Sequence, residues 1–348
     1  MPKDNSTDSY TMEEEVPSPN FKCLDFYQKR KKGKYRLCAA PDTSFAVADT
    51  HCHLEMFENP EWTIIRAAFH NVSFLACVLD STDDGIEGLN KVEDAYAKAE
   101  AILPQVLERV SCEGKQAQEP VTIKAAEEEP EFCLDKDAIC ENAQLPKLRY
   151  IIGTHPHHAK HFDGAQEKNL YEMLKNKRAC CVGEIGLDYH YDLSPRDAQR
   201  EVFKTQLQIA KELKLPVSLH LREAHSDALE ILDEIGFDEY GTLLHCFNLG
   251  PEDLKPWLEA GCYIALGGPL TFKNSESTRE AAKLIPKDKL LTETDAPFMT
   301  PEPLRGDTCF PDHVIFNAQM LYDVCGNGES RQAFYSRIYQ NALELLDR

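Results

Sequence analysis

The hydrophobic pattern of this chain switches between two periods. Eight short, almost wholly apolar runs recur: FAVADT (45–50), SFLACVLD (73–80), LRYIIGTHP (148–156), ACCVGEIGLD (179–188), LPVSLHLRE (215–223), GTLLHCF (241–247), CYIALGG (262–268) and KLLTETDAP (289–297). Runs of this kind, without strict polar alternation, suit strands buried on both faces of a parallel sheet. Between most of them apolar residues recur at helical spacing. The clearest case is 194–215, where Val202, Phe203, Leu207, Ile209, Ala210 and Leu213 are the recurring apolar residues. Ser194 is placed there to serve as N-cap, with Pro195 at the first helical position. Segments 222–237, 251–261 and 275–286 behave similarly. Eight strand–helix units in one domain predict a (β/α)8 barrel. The alternative fold, a doubly wound open sheet, lacks its glycine fingerprint after the first strand.

Two stretches fall outside the alternation. Residues 1–44 read as a polar N-terminal extension and 45–348 as the barrel domain. The extension holds a basic cluster, KCLDFYQKRKKGKYR (22–36), which we read as a solvated or docked segment rather than a nucleic-acid arm. Residues 112–146 are acidic, rich in Glu and Ala and weakly periodic, and read as an inserted, partly disordered loop.

Composition narrows the class. The chain has 348 residues and is 42% hydrophobic, enough for a sizeable core. No run approaches the ~20 apolar residues of a membrane span. The first residues, MPKDNSTDSYTMEEE, do not resemble a secretory signal. The 13 cysteines are odd in number and scattered, without a CxxC pair. Reduced thiols and a cytoplasmic location are the expectation. A net charge of −21 argues against coating of long duplex. It does not exclude an enzyme that grips a short piece of strand, because divalent cations in a cleft reverse the local sign.

Candidate chemistry lies at the ends of the predicted strands. His51 and His53, two apart in VADTHCHLE (47–55), share one face of the first strand, with Cys52 on the other. Paired imidazoles suit a metal ion. His155 follows the third strand, and Glu184, His220, His245 and Asp295 end the fourth, fifth, sixth and eighth. In a barrel these ends converge on one mouth, where active sites lie. A single catalytic zinc usually takes three protein ligands. The six candidates His51, His53, Glu184, His220, His245 and Asp295 suit two ions bridged by a carboxylate, with Glu184 the natural bridge from its place midway in strand order.

Six motifs, DTHCHLE, GTHPHHA, VGEIGLDYHYD, LPVSLHLREAHSD, LLHCFNLGPED and LLTETDAPFMTP, closely resemble the TatD family of metal-dependent deoxyribonucleases, from about Val47 to the C-terminus. The resemblance implies a barrel of the metallo-dependent hydrolase type. It implies one ion on His51, His53, Glu184 and Asp295 and a second on Glu184, His220 and His245. It also implies magnesium as the divalent metal, with zinc or manganese as alternatives, and 3′-to-5′ trimming of single-stranded DNA ends, in some members RNA. The stretch LRGDTCFPDHV (304–314) departs from the family's Arg-Asn-Glu-Pro-like motif, which leaves substrate preference open.

For phosphodiester hydrolysis we expect Asp295 to act as ligand and proton acceptor and Glu184 to join the metals. Glu293, two residues before Asp295, would orient a ligand or the attacking water. Arg222 and His155 are the candidate substrate contacts, Arg222 as a bidentate phosphate clamp or else in a salt bridge to Glu223 or Asp188. His157 lies beside them, and Tyr189 is read as packing rather than as a base-stacking surface. The competing functions are an amidohydrolase-type enzyme acting on a lactone, amide, ester or phosphotriester, and a non-catalytic nucleic-acid or protein binder. Amidohydrolase-type enzymes with two metals often bridge them with a modified lysine on the fourth strand; here that strand ends in Glu184, which favours the nuclease reading. No obligate protein partner and no membrane association are expected.

Overall fold

The computed structural model describes residues 25–42, 44–113, 143–236 and 239–347. A hairpin of β1 (Phe26–Arg30) against β2 (Lys34–Cys38) comes first. Eight parallel strands follow: β3 (Val47–Cys52), β4 (Val72–Asp80), β5 (Lys147–Gly153), β6 (Ala179–Asp188), β7 (Val217–Arg222), β8 (Thr242–Leu244), β9 (Tyr263–Leu266) and β10 (Leu290–Thr292). They lie side by side in sequence order. The ring closes between β10 and β3. Thr50 Oγ1 donates to Thr292 O at 2.9 Å, Thr292 Oγ1 to Ala48 O at 2.8 Å, and the Asp295 N–H to His51 O at 2.9 Å. Closure removes the open edges and excludes the doubly wound alternative.

Helices cover the outside: α1 (Pro60–Phe69), α2 (Gly85–Glu113), α3 (Gly164–Leu174), α4 (Arg196–Leu213), α5 (His225–Ile235), α6 (Pro251–Glu259), α7 (Glu276–Ala282), α8 (Val314–Cys325) and α9 (Arg331–Leu346). Among the described residues none is long and apolar enough to cross a membrane. The strands read as apolar because both faces are covered. Phe74, Leu75, Ile151, Ile152, Val182, Leu219 and Leu243 are all fully buried.

The helix start predicted at Ser194 is corrected by the structure. Pro195 occupies the cap position and α4 begins at Arg196. Ser194 is buried under the loop after β5, where its hydroxyl donates to His157 O at 2.6 Å and accepts from the Lys160 N–H at 3.1 Å. Satisfying that loop's backbone outcompetes capping. At its other end α4 stops at Lys214, in a left-handed conformation with φ 58, just before Pro216.

The two added stretches are described only in part. Residues 1–24 of the extension and 114–142 of the insert lie outside the described residues. Within the extension, Phe26 packs its ring 4.6 Å from His70 and 4.9 Å from Phe316, so the hairpin is seated on the barrel. Its basic residues Lys29, Arg30, Lys31, Lys32, Lys34 and Arg36 face solvent.

Candidate metal centre

The predicted ligands meet at the carboxyl ends of the strands. Glu184 is central, and its two oxygens face different partners. Oε2 lies 3.5 Å from His51 Nε2. Oε1 lies 2.7 Å from His220 Nδ1, 2.7 Å from His245 Nε2 and 3.8 Å from His155 Nε2. Asp295 Oδ1 sits between the paired histidines, 3.7 Å from His51 Nε2 and 3.6 Å from His53 Nε2. Among the described residues four ligand-competent triads result, each with its donor atoms within 4.8 Å of one another; two of them, His51–His53–Glu184 and Glu184–His220–His245, consist only of predicted ligands, and the others are His51–His245–Glu293 and His155–His157–His220. Donors bound ~2.1 Å from a common ion stand about 3–3.5 Å apart, so these spacings fit a metal with modest tightening.

Local sequence explains the positions. His51 and His53 alternate with Cys52, whose thiol turns outward to Ala76 O. Gly186, at φ 141, brings β6 so close to β7 that a Cβ there would lie 2.1 Å from His220 O. Only glycine allows that approach beside Glu184. Asp295 stands beyond the regular part of β10, in a left-handed conformation with φ 61. The alternation that placed Glu293 and Asp295 on one face therefore does not hold at this end. Glu293 is fully buried instead, accepts the Cys246 N–H through Oε1 and lies 3.9 Å from His245 Nδ1.

The buried polar atoms fit a cation. Both ring nitrogens of His51, and His245 Nδ1, are buried without a hydrogen-bond partner. A buried polar atom left so costs about 1–3 kcal/mol; of these, His51 Nε2 faces Glu184 and Asp295, where coordination of a metal would relieve it. Burial, with the neighbouring His245, pushes His51 down to about 4, leaving a neutral ring able to ligate. Burial also pushes Glu184 up, but His245, His51, His155 and His220 together bring it well below the usual carboxylate range. Asp295 behaves in the same way through His53, His51 and His245. Burial lowers His220, yet Glu184 and Asp188 more than offset it and hold the ring up at about 9. Glu293 is pushed up to about 8 by burial, which His245 only partly counters.

Behind the ligands stand residues that the sequence reading did not assign to the site. Asp188 Oδ2 receives His220 Nε2 at 3.2 Å and His157 Nε2 at 2.8 Å, fixing His220 with Nδ1 toward Glu184. Glu55 holds His53 Nδ1 at 3.3 Å, leaving Nε2 for the site. Asp49 accepts the N–H and hydroxyl of Thr294, pinning the turn that carries Asp295. From the buried face of α4, Gln199 bonds both the N–H and the carbonyl of Asp188, and Gln206 does the same for Thr154, next to His155. The spacing of Gln199 and Gln206, seven residues apart on an apolar helix face, was the available signal.

The candidate substrate contacts line the open side of a cavity of about 630 Å³. His155 Nδ1 accepts the His157 N–H at 3.2 Å, which puts the ring proton on Nε2, the nitrogen facing Glu184. Arg222 makes no ion pair among the described residues. Its guanidinium lies 4.6 Å over the Tyr191 ring, while Glu223 pairs with His190 and Asp188 with the histidines. Tyr189 is occupied by packing: its hydroxyl bonds Asp227 at 2.8 Å and Arg196 covers its ring. The atypical 304–314 stretch contributes no ligand. Its Asp312 takes Arg66 of α1, whose guanidinium is sandwiched between Phe26 and Phe310.

Known proteins resemble this chain in fold and in sequence. Structures of a TatD homologue, YjjV of Escherichia coli, and of a TatD family hydrolase of Entamoeba histolytica match with TM-scores of 0.64 and 0.62 at 21% and 18% identity. Each covers 87% of this chain, and 98% and 99% of its own. The uncharacterized metal-dependent hydrolase YabD of Bacillus subtilis is 39% identical over 50% of this chain and 68% of its own length. A protein of Pantoea vagans named 3′-5′ ssDNA/RNA exonuclease TatD is 32% identical over 56% of this chain and 75% of its own. The family model described as TatD related DNase matches residues 48–347, and the chain belongs to that family.

Proposed function

We propose that the protein is a metal-dependent nuclease that trims single-stranded DNA, and RNA as a second substrate, from the 3′ end. The observation that carries this reading is the division of Glu184, one oxygen toward His51 and the other toward His220 and His245. That division supports a pair of divalent ions, magnesium first among candidates. His51, His53, Asp295 and Glu184 would hold one, and Glu184, His220 and His245 the other. When bound, such ions neutralise the phosphate and make water a stronger nucleophile.

The protein's own groups do the rest. Asp295 is ionised under its three histidines, which suits it to take the proton of the attacking water. The His155 Nε2–H donates to a non-bridging phosphate oxygen, and Arg222 reaches over the cavity to a second. Asp188 and Glu55 keep His220 and His53 from turning. Glu293, buried beside His245, would hold the Cys246 backbone next to that ring rather than touch substrate. The relatives named as 3′-5′ nucleases, of Pantoea vagans and of Homo sapiens, support the direction of attack.

The rival chemistry, hydrolysis of a lactone or phosphotriester, draws on barrels such as an organophosphate-hydrolysing lactonase variant, alike in fold at 12% identity and TM-score 0.53. The test is a digest of 5′-labelled linear oligonucleotides beside circular single strands, with magnesium and with chelator. A ladder shrinking from the 3′ side, abolished by chelator, is expected. Equal cleavage of the circle contradicts the exonuclease mode, and inertness on every nucleic acid alongside turnover of a lactone or phosphotriester returns the site to small-molecule hydrolysis.

A further inference from the structure

The mouth of the barrel is poor in the groups that usually hold nucleic acid. Among the described residues lining it, Arg222 is the one lysine or arginine, while Asp80, Asp83, Asp84, Asp188, Glu184, Glu223 and Asp295 are acidic. Phosphate contacts by basic side chains supply most non-specific affinity elsewhere. A strand end held here needs another source of grip.

Large apolar side chains stand at the same mouth, exposed where burial would be normal. Tyr191 is 54% exposed and Phe298 50%, and both line the cavity. They sit on opposite sides. Tyr191 follows β6, the fourth barrel strand, and Phe298 follows β10, the eighth, so three strands stand between them on either side of a ring of eight. Each is tied edge-on to an inner histidine. Tyr191 meets His157 with ring centroids 5.6 Å apart at 89°, and Phe298 meets His53 at 6.2 Å and 72°. Arg222 backs the Tyr191 ring at 4.6 Å. Met56 and Met299, 49% and 39% exposed, extend the apolar rim on the Phe298 side.

We infer that Tyr191 and Phe298 form a two-sided base clamp: each ring stacks one of the two nucleobases that flank the scissile phosphate of a single strand. This rests on the nuclease reading above. Stacking is indifferent to base identity, since every base has a π face, and it needs no positive charge. It therefore suits a net −21 chain whose cavity is acidic. Arg222 contributes twice, stiffening the Tyr191 ring and facing the phosphate between the two bases. Bases paired in a duplex cannot splay onto two opposed platforms, so the clamp also selects single strands. The flexible thioethers of Met56 and Met299 adapt to bases of either size.

The test uses a single-stranded oligonucleotide protected by phosphorothioate at its 3′ linkages, with 2-aminopurine in the last two positions. Fluorescence titration with the metal-loaded protein reads stacking directly. Quenching is expected with the wild type, reduced at least about tenfold in affinity by Tyr191→Ala or Phe298→Ala and kept by Tyr191→Trp and Phe298→Tyr. In parallel, KM on an unprotected oligonucleotide should rise much more in the alanine variants than KM on one with abasic residues at those positions. An equal rise on both would mean that Tyr191 acts only by holding Arg222, and would overturn the clamp. Binding or trimming without quenching, or unchanged affinity in both alanine variants, overturns it while leaving the nuclease reading intact. A wild type that neither binds nor trims any single strand overturns both.

Discussion

Two places in this barrel bury histidines with carboxylates, and they are built on opposite principles. Beside α1, Asp312 accepts Arg66 at 2.5 Å and His70 at 2.9 Å, and Phe26 and Phe310 cover the guanidinium. Burial raises the Asp312 carboxyl, but Arg66 and His70 hold it well below its ordinary range. A fixed positive charge balances a fixed negative one. At the mouth, Glu184 and Asp295 face five imidazoles and no buried arginine or lysine, and His51 keeps two unpartnered nitrogens. The first cluster is complete as it stands. The second lacks such a fixed charge, which bound metal would supply. Histidine and carboxylate alone do not identify a metal centre; a missing fixed counter-charge does.

The largest effect that would separate the two clusters is on turnover. Asp295→Asn keeps the size of the side chain but removes the charge and the proton acceptor. Nuclease turnover should fall by about 10²–10⁴-fold, as for loss of general-base catalysis, with the thermal midpoint preserved. Near-normal turnover would reassign the base and remove the main distinction between the clusters.

The converse change should unfold rather than inactivate. Asp312→Ala removes the buried carboxylate that Arg66 and His70 share, a loss of about 3–5 kcal/mol of stability in denaturant unfolding, while turnover per folded molecule at low temperature stays near wild type. The double change Arg66→Met with Asp312→Leu should recover most of that stability. The sign with pH follows from the lowered carboxyl. Its contribution is present above the unfolded carboxylate value of about 4 and is lost as pH falls toward the lower folded value. An Asp312→Ala protein as stable as wild type would show that the pair does not brace the fold.

A smaller effect probes the ring behind the ligands. Asp188→Asn keeps a hydrogen bond but withdraws the charge that orients His220. Metal affinity should weaken by about 10–100-fold, measured by competition with a chelating dye. Unchanged affinity would mean that Glu184 alone positions His220.

Much of this arrangement was legible in the sequence because both signals are local. Eight apolar runs required two-sided burial, and each candidate ligand lay at the end of a run, so a ring of strands was enough to gather His51, His53, Glu184, His220, His245 and Asp295. Most of what escaped depends on contacts distant in sequence. Asp188 acts through His220, 32 residues away, and Asp49 through Thr294, 245 residues away. The Arg66–Asp312 pair spans 246 residues, so the 304–314 stretch looked like a lost motif rather than half of a buried ion pair. Tyr189 and Tyr191 are equivalent in a list of aromatics. Only the loop after β6 decides that Tyr189 is held by Asp227 while Tyr191 faces the cavity. The Ser194 cap failed for a related reason, since a loop from another strand claimed its hydroxyl.

The central claim is that Glu184 joins two ion sites, and metal titration of the wild type and Glu184→Ala by calorimetry, with native mass spectrometry to count ions, tests it most directly. The account predicts two divalent ions per wild-type chain and weakened binding at both sites in the variant. A variant that keeps one site at wild-type affinity, or a wild type that saturates with a single ion, would contradict it.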